Sequence, residues 1–185
     1  DLEYHFKNSD KGIQKFTFYE ESGNLIGIMG GSGVGKSTLV NLLNGKIEPT
    51  AGRIHINGHS IQKASHEGVI GFVPQDDMLF EELTVYQNLY YNARICFSDF
   101  SDSLLQKTVH KVLTDLDLLE TQDLKVGDPL NKTISGGQRK RLNIALELMR
   151  EPSVLFVDEP TSGLSSMDSE KVMLLLKDLA RKGKL

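Results

Sequence analysis

A glycine-rich octet, Gly30-Gly31-Ser32-Gly33-Val34-Gly35-Lys36-Ser37, constrains this chain more than any other stretch. The short apolar run before it, Leu25-Ile26-Gly27-Ile28-Met29, reads as a fully buried strand. After it, Lys36-Ser37-Thr38-Leu39-Val40-Asn41-Leu42-Leu43 has apolar residues at helical spacing (Leu39, Leu42, Leu43). Strand, glycine loop and helix in that order are the context in which G-x-x-x-x-G-K-S cradles phosphates. Glycines let backbone N–H groups turn toward one point with no side chain in the way. The helix start adds partial positive charge at the same point. The pattern assigns Gly30 through Thr38 to phosphate binding. Lys36 reaches the β- and γ-phosphates, and the Ser37 hydroxyl takes a coordination place on Mg2+. A glycine turn that merely caps a helix is the plain alternative, and the filled motif with its flanks argues against it.

Three later segments bear on the same chemistry. Val154-Leu155-Phe156-Val157 suits a buried parallel strand, and Asp158 and Glu159 fall just past its carboxyl end. Ligands of open α/β sheets bind there. Two acids side by side would repel each other and a triphosphate unless a metal and Lys36 balanced them. Gln75 follows the strand-like run Val69-Ile70-Gly71-Phe72-Val73 and Pro74, which cannot continue a central ladder. On the residues alone Gln75 is a loop residue. Ser135-Gly136-Gly137-Gln138 opens a helix whose Leu142, Ala145, Leu146 and Met149 form one apolar stripe. Ser135 is a plausible N-cap, and the two glycines keep the helix start bare and open to an anion. The same residues are equally those of an ordinary capped helix. The basic cluster Arg139-Lys140-Arg141 reads as a solvated helix face, because no interleaved aromatic and a net charge of −4 argue against a nucleic-acid patch.

Taken in order, the glycine octet, Gln75, Ser135-Gly136-Gly137-Gln138 and Asp158-Glu159 resemble the ABC (ATP-binding cassette) ATPases over essentially the whole chain. Phe72-Val73-Pro74-Gln75-Asp76-Asp77, Leu83-Thr84-Val85, Ser135 through Ile144 and Asp158 through Leu164 look most like the G subfamily of ABC transporters and its bacterial relatives. The resemblance implies an α/β fold: a P-loop NTPase core with a parallel sheet, antiparallel edge strands and an inserted helical subdomain. It implies that Asp158 organises Mg2+, that Glu159 orients and polarises the attacking water, and that Gln75 reaches both. It implies that Ser135, Gly136, Gly137 and Gln138 contact the γ-phosphate of an ATP held by another protomer's phosphate loop. A second ABC ATPase domain and a transmembrane domain are therefore the expected partners, with the chain at the cytoplasmic face of a membrane. Ile134 stands where Leu is more usual, and Ser165 where an Asp couples the two ATP sites, with Asp168 placed to cap the next helix. Tyr4 or Phe6 is the expected adenine-stacking residue, and both are equally core candidates. A chain that starts inside an edge strand and stops after a core helix is expected to be cut from a longer protein, before the family's γ-phosphate-contacting histidine.

Composition bounds what remains. A chain of 185 residues with 39% hydrophobic and 25% charged residues holds one good core. No apolar stretch approaches membrane-spanning length, and one cysteine, Cys96, allows no internal disulfide, which suits a reducing cytosol. Cys96 reads as a helix-face or core thiol. His5, His55, His59, His66 and His110 show no metal-ligand spacing with it. By pattern, residues 1–76 and 151–185 form the ATPase core and 77–150 a helical subdomain, with helices over Thr84–Ala93, Ser103–Leu119, Gly137–Arg150 and Asp168–Lys182. Strands are expected over Leu2–Phe6, Ile13–Tyr19 and Gly52–Ile56. The expected activity is ATP hydrolysis powering transport. A soluble ABC ATPase acting as a mechanical clamp and an ATP-sensing module with little turnover are the alternatives.

Overall fold

The computed structural model describes residues 1–9, 11–61, 69–128 and 133–184. His66 lies outside the described residues. Leu2–His5 (β1) pairs antiparallel with Gly12–Phe16 (β2), and His55–Ile56 (β3) with His59–Ser60 (β4). Asn57-Gly58 joins β3 to β4 with positive φ at both residues (52° and 79°), which a tight hairpin of native twist requires. Ile70–Val73 (β5) and Val154–Val157 (β6) pair in parallel, in register from Ile70↔Val154 to Val73↔Val157. Parallel pairing sends both chains out at the same end of the sheet, and this end carries the candidate acids.

Among the described residues five α-helices accompany these strands: Lys36–Leu43 (α1), Val85–Cys96 (α2), Asp102–Asp115 (α3), Gly136–Leu148 (α4) and Ser166–Leu179 (α5). Their starts are chemically marked. Thr84 and Gln87 form a reciprocal capping box at α2, as do Ser135 and Gln138 at α4, while Ser101 and Ser165 cap α3 and α5. Val85, Leu89 and Ala93 of α2 and Leu105, Val109 and Leu113 of α3 recur every fourth residue. They meet Leu142 and Ala145 of α4, and Met149 at its C-terminal cap, in one buried cluster. A second cluster joins Val73, Leu155, Val172, Leu176 and Leu179 to Ile144. One helix, α4, therefore faces both cores. Lys46, just past α1, sets its ammonium 3.6 Å from the Phe72 ring centroid and ties the first helix to β5.

The structure corrects several sequence expectations. Leu25–Met29 is not a buried strand: Leu25 is 42%, Ile26 49% and Met29 92% exposed, and no ladder among the described residues includes them. An apolar run specifies burial but not a partner, and the Phe72 amide of β5 is already taken by the Glu147 carboxylate of α4 at 3.2 Å. Strand 52–56 contracts to His55–Ile56, and the strand from Ile13 ends at Phe16. Arg139-Lys140-Arg141 is not a solvated face: the three residues are 5%, 4% and 6% exposed. Each has polar partners, which is the condition under which such charges are buried. Asp168 is not the cap of α5. Ser165 is, accepting from the Asp168 amide at 3.1 Å and donating to its carboxylate at 3.0 Å.

Candidate nucleotide site

The glycine-rich loop expected to bind phosphate runs from Gly30 to α1. Gly33 and Gly35 take positive φ (77° and 99°), and the helix begins after Gly35 with no side-chain cap and no acidic residue in its first turn. The amides of residues 31–35 make no hydrogen bond among the described residues. The loop is exposed as far as Val34 and Ser37 is exposed, with Lys36 and Thr38 half-buried. Unsatisfied N–H groups at a helix start form an anion cradle. Lys36 Nζ donates to the carbonyls of Gly30 at 2.8 Å and Gly31 at 2.7 Å, so the ammonium folds back over its own loop.

The second part of the site lies where β5 and β6 end. The Asp158 amide donates to the Val73 carbonyl at 2.9 Å, prolonging the parallel ladder by one bond and fixing the Asp158 backbone beside Pro74-Gln75. Asp158 is half-buried, while Gln75 and Glu159 are exposed. Glu159 has φ 41°, an unusual conformation for a residue with a side chain, and its carbonyl accepts from the Ser162 amide at 3.1 Å. Backbone outliers of this sort cluster at functional sites, held there by surrounding structure.

Helix α4 clamps the segment that follows β5. Lys140 Nζ donates to the carbonyls of Pro74 and Gln75, each at 3.1 Å. Arg139 Nε donates to Asp77 at 2.9 Å, and its Nη1 to the Gly127 carbonyl at 2.6 Å. Asn143 accepts from the Met78 amide at 3.3 Å and donates to Asp77 at 3.2 Å. Burial pushes the Lys140 ammonium below the usual lysine range, and the nearby Asp77, Asp158, Asp76 and Glu159 carboxylates oppose that shift. Arg141 Nη2 donates to the Asp117 carbonyl at 3.3 Å.

At the start of α4, Ser135 Oγ accepts from the Gln138 amide at 3.1 Å, and Gln138 Oε1 from the Ser135 amide at 2.7 Å. Gly136 and Gly137 pack on the 164–168 segment. A Cβ on Gly137 would lie 2.5 Å from the Asp168 carboxylate, and one on Gly136 3.2 Å from Leu164. The glycines admit a neighbouring carboxylate and leucine, which corrects the expectation of a bare helix start.

Gln75, Asp158 and Glu159 thus gather at one sheet end around Lys140. Lys36 and Ser37 make no hydrogen bond or ion pair with Asp158 or Glu159 among the described residues. The Tyr4 and Phe6 rings meet edge to face, 5.0 Å between centroids, with Phe6 43% exposed. Cys96, half-buried at the end of α2, accepts from Arg150 Nε at 3.2 Å. Sequence reasoning missed the clamp of Arg139, Lys140 and Asn143. The signal was present: three bases on a helix with an apolar stripe, and two acids, Asp76 and Asp77, directly after a buried strand.

Comparison with known proteins bears on the same residues. The family described as "ABC transporter" matches residues 13–162. The chain is 40% identical over 163 residues to the ABC-type transporter claG of Penicillium crustosum, covering 88% of this chain and 22% of that protein. It is 33% identical over 178 residues to ATP-binding cassette sub-family G member 5 of Rattus norvegicus, covering 95% of this chain and 27% of the relative. The chain thus spans about a quarter of the length of these relatives. The solved structure of cbiO1 from Clostridium perfringens, described as part of the ABC transporter complex cbiONQ, superposes with a TM-score of 0.86 at 30% identity, covering 99% of this chain and 72% of that one.

Proposed function

This chain belongs to the ABC transporter family, as an ATP-binding domain with the P-loop α/β fold, and from that premise we propose that it hydrolyses ATP to power transport across a membrane. The observation that supports this most is the loop from Gly30 to Gly35, whose amides are unpaired, and whose lysine bonds only to the loop itself, among the described residues. An arriving triphosphate exchanges those two carbonyls for phosphate oxygens on Lys36 and occupies the amides from Gly31 to Gly35, with the Ser32 and Thr38 hydroxyls as further donors.

Ser37, Asp158 and Gln75 offer the oxygen donors a hard divalent cation takes, two of them exposed and the third half-buried at a strand end. They are the residues that would hold Mg2+, whose chemistry is to neutralise charge on the β- and γ-phosphate oxygens. Glu159, exposed just beyond, accepts the proton of the attacking water. Lys36 and the loop amides stabilise charge on the departing phosphate. The chain supplies positioning and electrostatics, which is most of what phosphoryl transfer requires.

Residues 1–76 and 151–185 form the ATPase core and 77–150 the helical subdomain. The two buried clusters that share α4 support this division. Ser135, Gly136, Gly137 and Gln138 meet the nucleotide of a second such domain in a homodimer or pseudo-dimer. Transmembrane segments of the same transporter hold the pair at the cytoplasmic face of the membrane. No helix among the described residues is itself long and apolar enough to cross a bilayer. Relatives named for the G subfamily and a solved relative described as part of a transporter complex support the transport role.

Glu159→Gln tests the catalytic assignment. Its affinity for Mg·ATP should match the parent, while phosphate release falls by about a hundredfold or more, the usual worth of a general base. Release at the parent rate would remove Glu159 from the chemistry.

A further inference from the structure

We propose that Lys140 is a positioning residue for the ATPase reaction, holding Gln75 in place from α4 so that the start of that helix and the metal-binding end of the sheet move together. Three side chains of α4, at i, i+1 and i+4, grip the stretch after β5. Lys140 holds the Pro74 and Gln75 carbonyls, Arg139 the Asp77 carboxylate, and Asn143 the Met78 amide. Lys140 is the only one of the three that bonds Gln75 itself among the described residues. It stands one helical turn from Gly136, so a rigid displacement of α4 carries the Gln75 carbonyl with it.

A neutral donor could hold two carbonyls, so the buried charge calls for a reason. Burying an ammonium is costly unless it is hydrogen-bonded and offset by opposite charge. Here the offset comes from Asp76, Asp77, Asp158 and Glu159. Those acids include the pair assigned to metal and water, so Lys140 also keeps like charges together at the sheet end before any cation arrives. Arg139 and Asn143 bond no group assigned to the chemistry among the described residues. That difference separates a positioning role for Lys140 from general stapling of the loop.

The inference rests on the reading of Gln75 and Asp158 as metal-binding groups, and the test keeps the two apart. The 185-residue chain is titrated calorimetrically with ATP in Mg2+ and, separately, in EDTA, as the parent, Lys140→Met and Lys140→Arg. Thermal unfolding without nucleotide checks that each is folded, and Lys140→Gln replaces Lys140→Met if the latter is not. The parent should bind ATP more tightly in Mg2+ than in EDTA. In Lys140→Met that Mg2+ enhancement should fall about tenfold or more, as for loss of a group that orients a metal ligand. Its affinity in EDTA should stay within about twofold of the parent, because the phosphate loop is untouched. Lys140→Arg, which keeps charge and donors, should recover most of the enhancement. An unchanged enhancement in Lys140→Met, or equal weakening with and without Mg2+, would overturn the proposal. A parent that binds ATP equally well in both media would instead refute the metal assignment of Gln75 and Asp158.

Discussion

Gly137 is constrained by packing as well as by the ligand it is expected to touch. Its missing side chain makes room for the Asp168 carboxylate, which a Cβ would meet at 2.5 Å. Gly137→Ala should therefore destabilise the ligand-free chain by about 1–3 kcal/mol, as overpacking does. Urea unfolding without nucleotide measures this, and an unchanged midpoint would return the glycine to a purely ligand-facing role. Arg139 makes a similar case. Its side chain is 6% exposed against Asp77, and cutting the pair leaves a buried cation with only carbonyls for partners. Asp77→Ala should cost roughly 3 kcal/mol by the same assay, far more than loss of a surface ion pair. A cost near zero would show that Asp77 is dispensable to the burial of Arg139.

Among the elements, α4 carries the most information and was the one least legible in sequence. Its apolar stripe, Leu142, Ala145 and Met149, could be read directly, because 3.6-residue periodicity is a local property. So could the cap Ser135, whose hydroxyl lies three residues before a glutamine. The remaining faces of α4 could not. Whether Arg139 and Lys140 meet solvent or the Asp77 carboxylate and the Gln75 carbonyl depends on where residues 74–78 lie, more than sixty positions away in sequence. Leu25–Met29 failed for the same reason: its apolar run is local, but a parallel neighbour is not. The candidate site divides along that line. Gly30 to Ser37, Asp158 and Glu159 are candidates from motif, with the flanking strand of the two acids also legible, and the clamp on Gln75 is not. Ser135→Ala should lower the stability of the nucleotide-free chain by about 1 kcal/mol, the worth of an N-cap, in the same urea assay. Full stability with weakened nucleotide contact would show that Ser135 serves the ligand alone.

At the scale of the molecule, two buried clusters meet on one helix, and the site lies at the end of the parallel pair that the same helix secures. Lys36 bonds its own loop and makes no hydrogen bond or ion pair with Asp158 or Glu159 among the described residues. A triphosphate with its cation is the ligand whose charge and length would join them: phosphates on Lys36 and the loop amides, metal on Ser37 and Asp158. Nucleotide binding by this chain therefore depends on Mg·ATP being held through Lys36. Thermal unfolding of the parent and Lys36→Ala, each with Mg·ATP at about a hundred times the parent's dissociation constant, tests this directly. The parent should gain roughly 2.7 kcal/mol, seen as a rise in Tm, and Lys36→Ala should gain almost nothing while unfolding as the parent does without ligand. Equal rises in the two proteins would contradict the account.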